Sequence, residues 1–94
     1  MLIETDLAEL LSRLELPSAA REVLLERFEQ SLELVRFGEP CIALENLCDN
    51  LYEFAVPLTG EVRDRLVGWC RGSRVGSDRV SLLDALVVPL SGAG

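Results

Sequence analysis

The sequence predicts an all-α fold, a small bundle of about five short amphipathic helices, and three observations lead there. Leucines recur at spacings of three and four, whereas a half-buried strand would alternate apolar and polar residues. Apolar residues make up 49% of the chain but aromatic ones only 5%, so the core must be aliphatic, and long β-rich runs are absent. Helix-start and helix-stop residues fall between the periodic stretches. A chain of 94 residues makes one domain, read as residues 1–90 with a frayed tail over 91–94.

The first helix is expected from about Asp6 to Leu14, with Thr5 or Asp6 as N-cap and Leu7, Leu10, Leu11 and Leu14 on one face. Leu16-Pro17 breaks it. Ser18 is placed to cap a longer second helix reaching about Phe37, where Leu24, Phe28, Leu32 and Val35 form the inward stripe and Gly38 ends it. Pro40 suits the first turn of a third helix to about Phe54, with Leu44, Leu47, Cys48 and Leu51 inward, before a turn at Val56-Pro57.

Thr59 is the natural N-cap of a fourth helix, in which Val62, Leu66, Trp69 and Cys70 share an arc and Gly72 supplies the exit. Ser77 or Asp78 caps a fifth, expected to run to about Val88 with Leu82, Leu83, Leu86 and Val87 inward until Pro89 stops it.

Composition excludes several function classes. The longest mostly apolar stretches, such as Leu82–Leu90, fall far short of the roughly 20 residues of a membrane span. No basic region precedes an apolar one at the N-terminus, so the chain is expected in the cytoplasm. Three cysteines, Cys41, Cys48 and Cys70, cannot close a disulfide framework and are expected to be buried and reduced; two of them share a helix face two turns apart, beyond disulfide reach. With no histidine and no CxxC, no zinc site, other metal or cofactor is expected.

Catalysis is not expected either. Triad hydrolases need a base that titrates near neutrality, and histidine is the only side chain that does so unperturbed. Paired-carboxylate chemistry needs two acids in contrasting environments across a cleft, whereas these acids lie in surface rows. Arg71-Gly72-Ser73-Arg74-Val75-Gly76-Ser77 has the glycines and arginines of a phosphate cradle, but it lacks a preceding strand and the Lys-Ser/Thr pair, so it reads as a helix-to-helix connection. A helix-turn-helix reader would use Arg65, Arg71, Arg74 and Arg79, yet would bring a net negative body against phosphates. Nucleic acid is not the expected partner.

Charge is uneven. The net charge is −7, split into −9 over residues 1–62 and +2 over residues 63–94, so the first two thirds should attract basic partners. On the second helix Glu22, Glu26, Glu29 and Glu33 fall within an arc of about 60°, with no basic residue interleaved. Each like-charge pair costs a helix a few tenths of a kcal/mol. A well-solvated outer face is the plain alternative to a binding role for this ridge.

On the third helix Glu45, Asp49 and Glu53 repeat every four residues, again without a cation on that side. Ile42 points between Glu45 and Glu53 on the helical wheel, with Asn46 and Tyr52 at the flanks. An aliphatic and an aromatic anchor ringed by carboxylates is the pattern of a binder for a basic protein surface. The alternative is that another helix covers Ile42 and Tyr52.

The stretch Pro40-Cys41-Ile42-Ala43-Leu44-Glu45-Asn46-Leu47-Cys48-Asp49-Asn50-Leu51-Tyr52-Glu53, followed by Val56-Pro57-Leu58-Thr59, resembles the central segment of MafI-family immunity proteins, a family that itself resembles the immunity partners in contact-dependent growth inhibition. The resemblance implies a small, mostly helical, cytoplasmic bacterial protein that neutralises the toxic C-terminal domain of a polymorphic toxin, in many systems a nuclease. Acidic competition for a nuclease's phosphate-binding surface agrees with the charge distribution. The expected contact set is Ile42, Glu45, Asn46, Asp49, Tyr52 and Glu53, with Glu22, Glu26, Glu29 and Glu33 as a secondary ridge. The competing expectation is a structural or regulatory helical module without enzymatic activity. Oligomeric state is left open by the sequence.

Overall fold

A computed structural model of the protein describes residues 2–88, and its helices follow the apolar stripes read from the sequence. The first, α1 (Glu4–Ser12), begins two residues before the expected start, with Ile3 at the N-cap and no side-chain cap bond from Thr5 or Asp6. Glu4 and Asp6 lie in its first turn, where negative charge favours the exposed N–H groups. Leu7, Leu10 and Leu11 are buried, while Leu14 lies beyond the helix and is only partly buried.

Pro17 opens a 3₁₀ turn, Ser18–Ala20, so Ser18 begins that turn and does not cap the helix that follows. Helix α2 (Arg21–Arg36) buries Leu24 and Phe28 and half-buries Leu32 and Val35. Its exit residue is Gly38, at φ +81°, and Glu39 N–H then reaches back to the Leu34 carbonyl at 2.8 Å, the six-to-one bond of a Schellman ending. Helix α3 (Pro40–Glu53) has Pro40 in its first turn and buries Ala43, Leu44, Leu47, Cys48, Asn50 and Leu51. It is the central helix, packed on α2 and on the two helices that follow.

Thr59 caps α4 (Gly60–Gly72) as expected, its hydroxyl oxygen accepting from Val62 N–H at 3.1 Å. Gly72 is still helical and does not supply the exit; the left-handed residue is Arg74, at φ +64°. Ala55 plays the same part after α3, at φ +51°. Both endings are closed by the same six-to-one bond, Val56 N–H to the Leu51 carbonyl and Val75 N–H to the Cys70 carbonyl. Helices α2, α3 and α4 thus all leave through a residue of positive φ, even where no glycine is present.

The last helix, α5 (Ser77–Asp84), has Gly76 at its N-cap without a side-chain cap bond and ends four residues before Val88. The chain departs from helix there because Leu58, stranded between α3 and α4, needs backbone partners. Leu58 N–H donates to the Leu86 carbonyl at 2.9 Å and Val88 N–H to the Leu58 carbonyl at 3.0 Å, forming an isolated parallel bridge between Leu58 and Val87. Leu83 and Leu86 are buried, and Leu82 and Val87 only partly. The expected Pro89 stop and the 91–94 tail lie outside the described residues.

One core runs through all five helices, from Leu7 and Leu10 through Leu24, Leu44, Leu47 and Leu51 to Leu66 and Leu83. Truncating any of these leucines to Ala should cost about 2–5 kcal/mol. No helix among the described residues is long and apolar enough to cross a membrane.

Candidate binding face

The buried arc of α3 faces α2 and the core, which leaves Ile42, Asn46, Asp49, Tyr52 and Glu53 on the opposite arc, exposed. Ile42 is 45% and Tyr52 50% exposed, so among the described residues no other helix covers either one. Glu45 is half-buried at the edge of that arc. The six residues expected from the sequence therefore lie along one face of one helix.

The expectation that this row has no cation beside it is overturned by α5. Arg79 lies between two of the carboxylates, with its Nε 3.0 Å from Asp49 Oδ1 and an Nη 3.5 Å from Glu45 Oε2. A helical wheel counts charges within one helix, whereas this cation arrives from residues thirty positions downstream. Glu53 has no ion pair among the described residues, so the uncompensated charge of the row sits at its C-terminal end.

Glu22, Glu26, Glu29 and Glu33 are all exposed on the outer face of α2. Arg36 stands one turn beyond Glu33 and feels both Glu29 and Glu33. It is nevertheless committed to Glu4 of α1, with Nε–Oε1 at 3.2 Å and Nη2–Oε2 at 2.6 Å. The hydrogen bond from Arg36 holds the Glu4 carboxyl below its ordinary pKa, and the same bond raises Arg36.

Between the two rows runs a groove. Its polar half, about 280 Å³, is lined by Arg27, Gln30 and Ser31 of α2 and by Asn46, Asp49, Asn50 and Glu53 of α3. A second cleft of about 300 Å³, bounded by Glu33, Leu34 and Phe37, shares Gln30 and Asn46 with the first and so continues it. Ser31 and Asn50 are the two buried polar residues of the described chain, and both line the polar half. Arg27 Nη1 donates to Asn50 Oδ1 at 3.1 Å, tying the walls together.

Three of the six expected contact residues, Asn46, Asp49 and Glu53, line this groove, while Ile42 and Tyr52 lie outside it and Glu45 turns toward Arg79. Sequence reasoning missed the α2 wall. Its signal was a serine, Ser31, inside an otherwise apolar stripe, where a core position would carry a hydrocarbon. Phe37 was taken only as a helix end, yet it is 70% exposed at the rim of the groove.

Other candidate groups are less organised. Among the described residues no cluster of three or more His, Cys, Asp or Glu stands ready for a metal ion. Of the four arginines considered for nucleic acid, Arg79 is held by two carboxylates and Arg65 lies over the Trp69 ring at 5.0 Å. The Arg71–Ser77 segment forms the end of α4 and the connection to α5.

No family model, curated protein or solved structure matches the chain. The functional reading rests on the face itself and on the sequence resemblance.

Proposed function

We propose that this chain is a bacterial immunity protein, a binding inhibitor without enzymatic activity that occludes the basic surface of a cognate toxin domain, most simply a nuclease. The observation that carries the reading is the α3 face, where Ile42 and Tyr52 remain about half exposed beside Asp49 and Glu53. Scattered surface hydrophobics are ordinary. An aliphatic and an aromatic side chain on one helix face, with Phe37 at the rim of the adjoining groove and carboxylates on both helices, form a more organised set.

The parts have separate tasks. The glutamates of α2 and Glu53 steer a basic partner at long range and raise its association rate. Ile42, Tyr52 and Phe37 supply apolar area that holds the complex once formed. Asn46 and Gln30, at the junction of the two clefts, offer amide donors and acceptors to a partner's polar rim. The resemblance of Pro40–Glu53 to MafI-family proteins supports the same reading.

The test is protection. A long secreted protein with a variable C-terminal domain is expected to be encoded by the neighbouring gene, and that C-terminal domain is produced in a bacterial host with and without this chain. The wild-type chain is expected to restore growth and to co-purify with that domain at one to one. An Ile42→Asp, Glu53→Arg variant with an unchanged circular dichroism spectrum is expected to do neither. Absence of protection by the wild type would overturn the reading, and a stable homo-oligomer that buries Ile42 and Tyr52 would favour the structural-module alternative.

A further inference from the structure

Cys48 of α3 and Cys70 of α4 bring their sulfur atoms to 3.9 Å, although the residues lie 22 positions apart in the chain. Both are buried, at 2% and 0% exposure, and both are free thiols. Cys41, two turns before Cys48 on α3, is only half-buried, with its Sγ 4.0 Å from the Arg74 carbonyl oxygen. The pair that shares a helix is too far apart to bond, and the pair from different helices is in contact.

We infer that Cys48 and Cys70 form a redox modification site, a dithiol that hydrogen peroxide converts to an intramolecular disulfide stapling α3 to α4. The sulfurs must approach from contact distance to about 2.05 Å, a movement within reach of side-chain rotation and a small helix shift. The α3–α4 contact is slighter than those of α3 with α2 and α5, so this is the helix pair with most room to adjust. The inference stands independently of the immunity reading.

Either thiol can donate the hydrogen bond between them, and burial penalises both thiolates. The disulfide product is the same whichever sulfur reacts first, and one route begins at Cys70.

Its thiolate attacks one peroxide oxygen, the O–O bond breaks, and hydroxide leaves, giving a sulfenic acid at Cys70. The Cys48 sulfur, losing its proton, then attacks the Cys70 sulfur, the S–O bond breaks, and a second hydroxide leaves. Counting protons, two thiols and one peroxide give one disulfide and two waters, and the peroxide accepts the two electrons the sulfurs lose. Hydrogen peroxide is close to water in size and enters during local openings that exclude bulkier disulfide reagents.

The experiment treats the folded full chain with hydrogen peroxide and follows intact mass, thiol count and disulfide-linked peptides, with and without subsequent dithiothreitol. The expected product has lost the mass of two hydrogen atoms, carries a Cys48–Cys70 linked peptide, and melts at a higher temperature than the reduced chain. Dithiothreitol should restore the starting mass and melting temperature. A Cys41→Ser variant should behave identically, so the result does not depend on whether a core cysteine substitution folds. Persistence of both core thiols at a dose that oxidises Cys41, or a crosslink mapping to Cys41 or between chains, would overturn the inference.

Discussion

On α2, Glu22, Glu26, Glu29 and Glu33 stand exposed, and none has an ion pair among the described residues. On α3, Glu45 and Asp49 share Arg79 from α5, and only Glu53 keeps its charge uncompensated. The helices also leave the fold differently, α2 through Gly38 and α3 through Ala55. The α2 row therefore offers more charge and the α3 row more structure, since its carboxylates are fixed by a cation and flank the apolar anchors. A partner would feel the first at a distance and the second on contact.

The largest expected effect separates the anchors from the charges. Ile42→Ala with Tyr52→Ala should weaken binding to the cognate toxin domain by about 2 kcal/mol or more, roughly 30-fold in Kd, mainly through faster dissociation. Replacing all four α2 glutamates by glutamine should act instead on association, and less so at high salt. Surface plasmon resonance at two salt concentrations distinguishes these outcomes.

Next come the helix exits. Gly38→Ala should destabilise the fold by about 1 kcal/mol, because its φ of +81° penalises a side chain. Ala55→Gly should stabilise it by about 0.5–1 kcal/mol, the relief of left-handed strain less the added chain entropy of glycine. Urea denaturation of the two variants reads both signs.

Arg79→Ala should cost about 0.5–1 kcal/mol, since the ion pairs it breaks are a third to a half exposed and screened by solvent. The same variant should speed association with a basic partner by freeing two carboxylates. On α2, Glu29→Gln should add a few tenths of a kcal/mol by removing like-charge repulsion.

The smallest effect is a pH dependence. The Glu4 carboxyl is held below its ordinary value of 4.5 by Arg36, so the pair contributes stability above that pH and loses it as the pH falls through the lowered value. The stability difference between wild type and Glu4→Gln should therefore shrink on acidification below about pH 4.5. Thermal melts across the acid range check the direction.

Much of this was legible in the residues, and the misses share a cause. The apolar stripes of α2 and α3, the Pro40 start and the Thr59 cap all depend on residues within one or two turns, and each appears in the fold. The α5 end was misjudged because Leu58, nearly thirty residues upstream, recruits Leu86 and Val88 into backbone bonds. The Gly72 exit was misjudged because α4 closes on the bond from Val75 N–H to the Cys70 carbonyl, which leaves Arg74 to turn. Arg79 and the Cys48–Cys70 contact were missed for the same reason, since each acts across helices that no single-helix projection relates, whereas Ser31 was legible in the α2 stripe itself. Ile42 and Tyr52 were placed correctly on the outer arc because that needs only the α3 period.

The most direct test of the proposed interface is hydroxyl-radical footprinting of the chain alone and in complex with the cognate toxin domain. Oxidation of Phe37 and Tyr52 is expected to fall sharply in the complex while that of Trp69, on α4, stays unchanged. Protection of Trp69 with Phe37 and Tyr52 unaffected would place the partner on α4 instead of the α3 face and contradict the account.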